Sequence, residues 1–258
     1  MIKHLSYSSI NTYLLCPRSW RFRYIDKIQT PVSPNLIFGS AFHDTIEAII
    51  KESALAESSN MLPPQLFEHN WTHKIQFEDV DWTGVDPADM LATGVSMFKS
   101  KDCLEVIRAI SPMAGDAGEP IIERRVNLTV PGVPVPIIGY VDIITQDGVP
   151  CDVKTAGRKW SANQADDELQ PLFYLAALNQ EGFPLNSDWR FRHYVFTKTK
   201  TPAAQVFEVA RKPSEVFWLF GLIADVWQAI EAKAFPPQLN GWKCSDKYCE
   251  FWPHCRGA

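Results

Sequence analysis

The stretch Val149-Pro-Cys-Asp-Val-Lys-Thr155 predicts a short β-strand with charged side chains on one face. Side chains alternate along a pleated backbone, so the apolar residues of this stretch point one way, while Asp152 and Lys154 point the other. A carboxylate and an ammonium group therefore stand side by side on one face of the strand.

A second predicted strand, Pro136-Ile-Ile-Gly-Tyr-Val-Asp-Ile-Ile144, lies just upstream and is apolar except for Asp142. Two acids and a lysine on neighbouring strands are what metal-dependent phosphodiester hydrolysis requires. The acids hold a hard divalent cation, and the lysine offsets negative charge that builds up on the phosphate. Glu123, on the strand before these two, is either a further acid of the same site or an ordinary surface residue.

Composition narrows the class of protein. The chain has 258 residues, of which 46% are hydrophobic, so it can bury a core as one large domain. Its net charge of -5 gives no global attraction to nucleic acid, so contact with DNA would need a local basic path and a metal ion. There is no apolar signal segment, no run near the ~18 apolar residues of a membrane span and no phosphate-binding loop motif. We therefore expect a cytoplasmic protein with no membrane partner and no nucleotide cofactor.

Hydrophobic periodicity predicts an α/β fold. Turn signals at Pro131-Gly132 and Asp147-Gly148 join the first three strands into a meander. The order helix, three strands, helix, strand predicts a mixed sheet flanked by helices, with a helical cap inserted at about 57–118. Helices are predicted at about 39–56, 64–78, 87–110, 163–180 and 214–234, and strands at 121–130, 134–145, 149–155, 189–196 and 205–209.

Together these residues resemble the PD-(D/E)XK nuclease superfamily. Asp142, Asp152-Val-Lys154 and an upstream His43 resemble its catalytic set, and Gln170-Pro-Leu-Phe-Tyr174 resembles the Q-x-x-x-Y motif of the RecB-like branch. The opening, from Leu5 to Pro17, resembles the N-terminal signature of that branch. The resemblance implies a restriction-endonuclease-like core, with the elements α-β-β-β-α-β in order.

The resemblance also implies residue roles. Asp142, Asp152, the backbone carbonyl of Val153 and the imidazole of His43 would hold Mn²⁺ or Mg²⁺. Lys154 would orient the attacking water or stabilise the transition state, with Gln170 and Tyr174 as further catalytic residues beside it. Because an imidazole nitrogen suits Mn²⁺ better than Mg²⁺, we predict higher activity with Mn²⁺.

Four cysteines resemble the ligands of an iron–sulfur nuclease: Cys16, Cys244, Cys249 and Cys255. Zinc sites usually pair cysteines two to four residues apart, which this spacing fits poorly, whereas all-cysteine ligation suits a [4Fe–4S] cluster. Zinc, with His254 or Cys16 as the fourth ligand, and unligated thiols remain alternatives. The other two cysteines, Cys103 and Cys151, are predicted to be small buried apolar residues.

The segment from Cys16 to Tyr24 interleaves arginines with aromatic residues. Arg18, Arg21 and Arg23, with Trp20, would follow the phosphates and stack on the bases of a single strand. The pattern fits a second interpretation equally well, namely a helix with its aromatic side chains in the core and its arginines in water. Lys198 and Lys200, after a predicted strand, are candidates for further phosphate contacts.

We therefore expect a single nuclease domain over residues 1–258, with an iron–sulfur lobe formed by about 5–24 and 240–258. The favoured function is a metal-dependent DNA exonuclease that acts on single-stranded ends. The resemblance implies a role in recombination or repair, in phage DNA metabolism or in CRISPR spacer processing. It also implies proteins of recombination or CRISPR adaptation as partners. The alternatives are a catalytically silent DNA-binding or scaffold module and a site-specific endonuclease.

Overall fold

The computed structural model describes residues 2–55, 61–185, 187–241 and 243–257. Six strands are present in this part of the chain: β1 (Leu5–Ser6), β2 (Ile122–Leu128), β3 (Ile137–Ile144), β4 (Pro150–Ala156), β5 (Arg190–Thr197) and β6 (Ala204–Ala210). The helices are α1 (Tyr7–Leu15), α2 (Pro17–Tyr24), α3 (Pro34–Ala54), α4 (Pro63–Phe77), α5 (Pro87–Met97), α6 (Lys101–Ala109), α7 (Ala162–Asp166), α8 (Gln170–Gln180), α9 (Glu215–Glu231) and α10 (Trp252–Arg256). None of the described helices is long and apolar enough to cross a membrane.

The strands form one mixed sheet in the order β1-β3-β4-β5-β6, with β2 also paired to β3. Strands β2, β3 and β4 are antiparallel neighbours, as the predicted meander requires, and β5 runs parallel to β4. The parallel step from β4 to β5 is made through α7 and α8, which is the crossover that parallel pairing needs. The expected α/β architecture, a mixed sheet flanked by helices, is confirmed.

Helices cover both faces of the sheet. On one face, α1, α8 and α9 bury residues such as Ile10, Leu175 and Ile223 against the strands. On the other, α3 to α6 bury Phe42, Trp71 and similar side chains against the opposite side. The inserted helices α4 to α6 thus belong to the second helical layer, because their apolar sides share a core with β4 and β5. Cys103 and Cys151 are fully buried in that core, as predicted.

Several element boundaries differ from the prediction. The helix predicted at 87–110 is two helices, because Ser100 caps a new one by accepting the backbone N–H of Cys103. The helix predicted at 163–180 is likewise divided, into α7 and α8. Strand β1 was not predicted; it is only two residues long and is set by parallel pairing with β3. The predicted helix end at Ala56 and residues 57–60 of the following connector lie outside the described residues.

Close packing of α8 on β3 depends on Gly139. A Cβ atom at this position would lie 2.7 Å from the ring of Tyr174 and 2.8 Å from the ring of Phe173. Real side chains do not tolerate such contacts, so only glycine lets the helix approach the strand this closely. The approach places the first turn of α8 beside the acids on β3 and β4.

Candidate active site

Strands β3 and β4 separate where their acidic residues lie. They pair at Ile143 with Cys151 and at Ile144 with Pro150, but the pairing does not extend to Asp142 and Asp152. Instead, the Val153 N–H donates a hydrogen bond of 2.7 Å to Oδ2 of Asp142. The Asp142 carboxylate thus takes the place of a backbone acceptor, and the gap between the strands brings the two acids to one location.

Asp152 is buried, and its two carboxylate oxygens have different surroundings. Oδ1 accepts hydrogen bonds from Nζ of Lys154 at 2.8 Å and from Nε2 of Gln170 at 2.7 Å. Oδ2 is buried and has no hydrogen-bond partner among the described residues. Burial alone would raise the pKa of Asp152, but attraction to Lys154 and contacts with His193 outweigh it and hold the pKa at about 2. Asp152 is therefore an anion with one oxygen left for a further ligand.

The Lys154 side chain extends from the two acids towards the protein surface. Its side chain is 32% exposed, whereas that of Asp152 is 3% exposed. Burial alone would lower the pKa of Lys154, but attraction to Asp152 and Asp142 outweighs it and raises the pKa. The ammonium group therefore stays charged at neutral pH, where it can meet an anionic group that approaches from solvent.

Asp142 also belongs to a second group with His43 and Glu123. One ligand atom from each of these side chains lies within 4.8 Å of those of the other two, and Nδ1 of His43 is 3.5 Å from Oδ2 of Asp142. Within the described parts of the chain, no other group of three His, Cys, Asp or Glu side chains is this close. His43 was predicted to lie at the site. For Glu123 the sequence allows two interpretations, and the structure places its carboxylate in this group.

Burial, together with neighbouring negative charge, raises the pKa values of Asp142 and Glu123. Burial and repulsion from Asp152 raise the pKa of Asp142 to about 6, although His43 and Lys154 lower it. Partial burial raises the pKa of Glu123 to about 7, with further contributions from Asp142, Glu47 and Asp44. Crowded carboxylates with a free, buried oxygen on Asp152 are a donor set that suits a divalent cation such as Mg²⁺ or Mn²⁺.

Gln170 and Tyr174 lie one turn apart on α8, next to Asp152. Besides its bond to Asp152, Nε2 of Gln170 lies 3.4 Å from the Tyr174 hydroxyl, which is a long hydrogen bond. Burial raises the pKa of Tyr174, so its hydroxyl stays protonated. Burial also raises the pKa of Tyr7, at the start of α1. Gln170 thus supports Asp152 from the helix side.

His193 is a residue of this region that the sequence did not indicate. It lies on β5 in parallel register with Asp152, and its Nδ1 is 3.6 Å from Oδ2 of that acid. The two residues are far apart in the sequence, and only the parallel β4–β5 pairing brings them together. A histidine within an apolar strand pattern gives no local signal of such a contact.

The four predicted cluster cysteines lie around one cavity of about 210 Å³, between the N-terminal helices and the C-terminal segment. Each of them is half-buried. Burial alone would raise the pKa of Cys16, but hydrogen bonds from Gln238, Ser19 and Arg18 outweigh it and lower the pKa. Burial raises the pKa of Cys249. Their sulfur atoms do not form a tight group of the kind made by His43, Glu123 and Asp142 within the described residues.

The structure changes the interpretation of the arginine segment. Trp20 is 1% exposed and stacks on Phe235 with 5.7 Å between ring centroids, so it has no free face for a base, and the prediction for Trp20 is corrected. The arginines have protein partners: Arg18 donates to the Phe235 carbonyl, Arg21 pairs with Asp26 and Arg23 pairs with Glu250. The aromatic side of this helix packs in the core, as the alternative interpretation states.

The two candidate lysines after β5 differ in their surroundings. Nζ of Lys198 donates to Oδ1 of Asn35 at 2.6 Å and lies 5.1 Å from the ring of Phe38. Its backbone N–H donates to the carbonyl of Ala156, at the end of β4. Lys198 therefore lies between the end of β4 and the start of α3, while Lys200 is exposed.

Known proteins resemble this chain in sequence pattern and in fold. A family model of the PD-(D/E)XK nuclease superfamily matches residues 4–256. A crystal structure named "Putative exonuclease" from Eubacterium rectale is similar at a TM-score of 0.60 and 10% identity, covering 98% of this chain and 88% of that one. The crystal structure of SSO0001 is 17% identical over 94% of this chain and 93% of that one, at a TM-score of 0.31. No curated protein sequence matches the chain.

The match over nearly the whole chain identifies its class: the protein belongs to the PD-(D/E)XK nuclease superfamily. Its sheet and flanking helices are consistent with the restriction-endonuclease-like core of that superfamily. Nucleases of this kind act on DNA with divalent metals, and His43 on α3 with the acids on β2 and β3 provides a candidate metal site.

Proposed function

We propose that this protein is a divalent-metal-dependent DNA exonuclease whose active site is the gap between β3 and β4. The observation that carries the proposal is the convergence of Asp142, Asp152 and Lys154 at that gap. Asp142 is held by the Val153 N–H, and Asp152 is held by Lys154 and Gln170. Two oriented carboxylates beside a charged lysine are the requirement for hydrolysis of a phosphodiester with a metal ion.

Asp142 and Asp152 would hold the ion, with the carbonyl of Val153 and the imidazole of His43 as further ligands. The free, buried Oδ2 of Asp152 supports this assignment, because an unpaired buried carboxylate oxygen is costly unless it meets a cation. Glu123 joins the proposed ligand set, since it shares the close group with His43 and Asp142. When bound, such an ion stabilises phosphate charge and makes water a better nucleophile near neutral pH.

Other side chains of the protein would bind the phosphate and orient the metal ligands. Lys154, charged and partly exposed, would contact the phosphate and stabilise charge that develops there. Gln170 would fix the orientation of Asp152, and Tyr174 would pack behind Gln170. Lys198 is a candidate to bind a neighbouring phosphate of the DNA. Its backbone N–H contacts the carbonyl of Ala156, at the end of β4. Arg21 and Arg23, both exposed, are candidates for contacts with the DNA backbone outside the active site.

Action on single-stranded ends is the finer part of the proposal. The name of the E. rectale structure, which matches most of this chain at low identity, supports action at ends but says nothing about strand type. Three substrates separate exonuclease from endonuclease activity when each is incubated with Mn²⁺. They are end-labelled linear single strands, end-labelled linear duplexes and circular single strands. The proposal expects that linear single strands lose their label and that circles stay intact. Cleaved circles would favour the endonuclease alternative.

We also propose that Cys16, Cys244, Cys249 and Cys255 hold a [4Fe–4S] cluster that ties the two ends of the chain together. The support is their position around one cavity, with a Cys16 thiol whose pKa is lowered by its hydrogen bonds. All-cysteine ligation of this kind suits iron–sulfur clusters. In that case residues 5–24 and 240–258 form one lobe of a single nuclease domain.

Anaerobic purification tests the cluster independently of nuclease activity. A brown protein that contains about four iron atoms and about four sulfide ions per chain is expected. Cys249→Ser should lose that colour, and the control Cys103→Ala should keep it, since Cys103 is buried in a different core. A colourless protein with bound zinc, or with no bound metal, would contradict the cluster.

A further inference from the structure

His193 is a buried histidine whose ring nitrogens make no hydrogen bond within the described part of the chain. It is 0% exposed, and its ring packs against Phe191 at 5.1 Å and Trp160 at 5.6 Å between centroids. Neither Nδ1 nor Nε2 makes a hydrogen bond with any described residue. Because a buried polar atom without a partner costs free energy, a histidine in such an apolar pocket needs an explanation other than packing.

The pocket around His193 is itself fixed. Gln205 on β6 accepts the backbone N–H of Trp160 at 2.9 Å and donates to its carbonyl at 3.2 Å. This pair of bonds holds Trp160 over the imidazole. On the other side, parallel pairing of β4 and β5 fixes the position of His193 next to Asp152. The ring is therefore confined, with Nδ1 on the side of Asp152.

Two of the three atoms without hydrogen-bond partners in this region lie next to each other. Oδ2 of Asp152 has no hydrogen bond, and the Nδ1 atom of His193 is 3.6 Å away. That distance is too long for a good hydrogen bond, but a shift of roughly 0.5 Å would form one. Oδ1 of the same carboxylate is already held by Lys154 and Gln170. Oδ2, the carboxylate oxygen that faces His193, is thus the one that can still accept a hydrogen bond.

We propose that His193 is a positioning residue for Asp152: its Nδ1–H donates to Oδ2 and fixes the plane of the carboxylate that binds the metal ion. This inference rests on the proposed function, because it assigns a metal to Asp152. A carboxylate offers about four acceptor positions, so three donors still leave one for a cation. Partners that hold a metal ligand in this way set the affinity for the metal, although they do not touch it.

The test uses three substitutions and binding of Mn²⁺ to the full chain, measured by calorimetry without DNA. His193→Phe keeps an aromatic ring and removes both nitrogens, so we expect unchanged or higher thermal stability but a loss of roughly 10- to 100-fold in Mn²⁺ affinity. His193→Asn places an amide donor near the position of Nδ1 and should retain most of the affinity. His193→Leu, which also lacks a donor, should behave like His193→Phe and serves if that variant does not fold.

Failure of this proposal and failure of the proposed function give different results. If the unsubstituted protein binds no Mn²⁺, the metal site itself is wrong. If it binds Mn²⁺ and both His193→Phe and His193→Leu bind it equally well, the site stands and the role of His193 is overturned. Loss of affinity in all three variants, Asn included, would also overturn the role, because a retained donor would then make no difference.

Discussion

Glu123 and Asp142 lie opposite each other on neighbouring antiparallel strands, between the pairs Ile122–Ile143 and Arg124–Val141. The Glu123 backbone has a φ of 51°, a left-handed conformation that non-glycine residues rarely adopt. Two acids in opposition destabilise a sheet, and a strained backbone adds to the cost. A cation between the two carboxylates would offset both, so this pair connects the fold directly to metal binding.

Glu123→Gln should therefore separate stability from metal binding. Without metal, the variant removes repulsion between the acids, so its melting temperature should rise above that of the unsubstituted protein. With Mn²⁺, it should gain less stability, because one anionic ligand is gone. Thermal unfolding with and without Mn²⁺ measures both effects. Glu105→Gln is the matched control, since Glu105 is exposed on α6; equal behaviour of the two variants would contradict a metal role for Glu123.

Stabilisation by Mn²⁺ should increase with pH. The pKa of Asp142 is raised from 3.8 to about 6, and that of Glu123 from 4.5 to about 7. A raised carboxyl pKa contributes stability below its ordinary value and loses it as the pH rises through the folded-state value. The metal-free protein should thus lose this contribution between about pH 4 and about pH 7, while Mn²⁺ binds the deprotonated acids more tightly. Melting temperatures across that range test this; a Mn²⁺ effect independent of pH would contradict it.

His43 should determine the preference between metal ions. Its Nδ1 lies beside Asp142, and imidazole nitrogen favours Mn²⁺ over Mg²⁺. We expect the unsubstituted protein to cleave DNA faster with Mn²⁺ at saturating concentrations of each ion. His43→Asn, which offers an oxygen ligand instead, should reduce that ratio by roughly tenfold. A clear advantage of Mg²⁺ in the unsubstituted protein would count against His43 as a ligand.

Gly139→Ala tests the close approach of α8 to β3. The added methyl group would lie within 2.8 Å of the Tyr174 and Phe173 rings, so we expect a loss of about 1–3 kcal/mol in the free energy of unfolding. Chemical denaturation measures it. Gly157→Ala is the control, because nothing lies within 4 Å of a Cβ there. Equal stability of the two variants would show that α8 adjusts its position freely.

The sequence predicted what depends on local pattern. Alternation along β4 placed Asp152 and Lys154 on one face, and turn residues predicted the meander. The contact of His193 with Asp152 could not be predicted, since it depends on parallel pairing across a helical crossover. For the arginine segment, the pattern allowed two interpretations, and the packing of Trp20 on Phe235, which is distant in sequence, excludes stacking of a base on Trp20. At Ser100 a helix cap was present in the sequence, and it could have been used to divide the predicted helix at 87–110.

The most direct test of the metal-dependent site compares the unsubstituted protein with Asp152→Asn on end-labelled single-stranded DNA. Asp152→Asn keeps the shape of the side chain and removes its charge, so DNA binding should persist while cleavage with Mn²⁺ falls by more than about 100-fold. A chelator should abolish cleavage by the unsubstituted protein. Equal cleavage by both proteins, or cleavage that persists with the chelator, would contradict the metal site at the gap between β3 and β4.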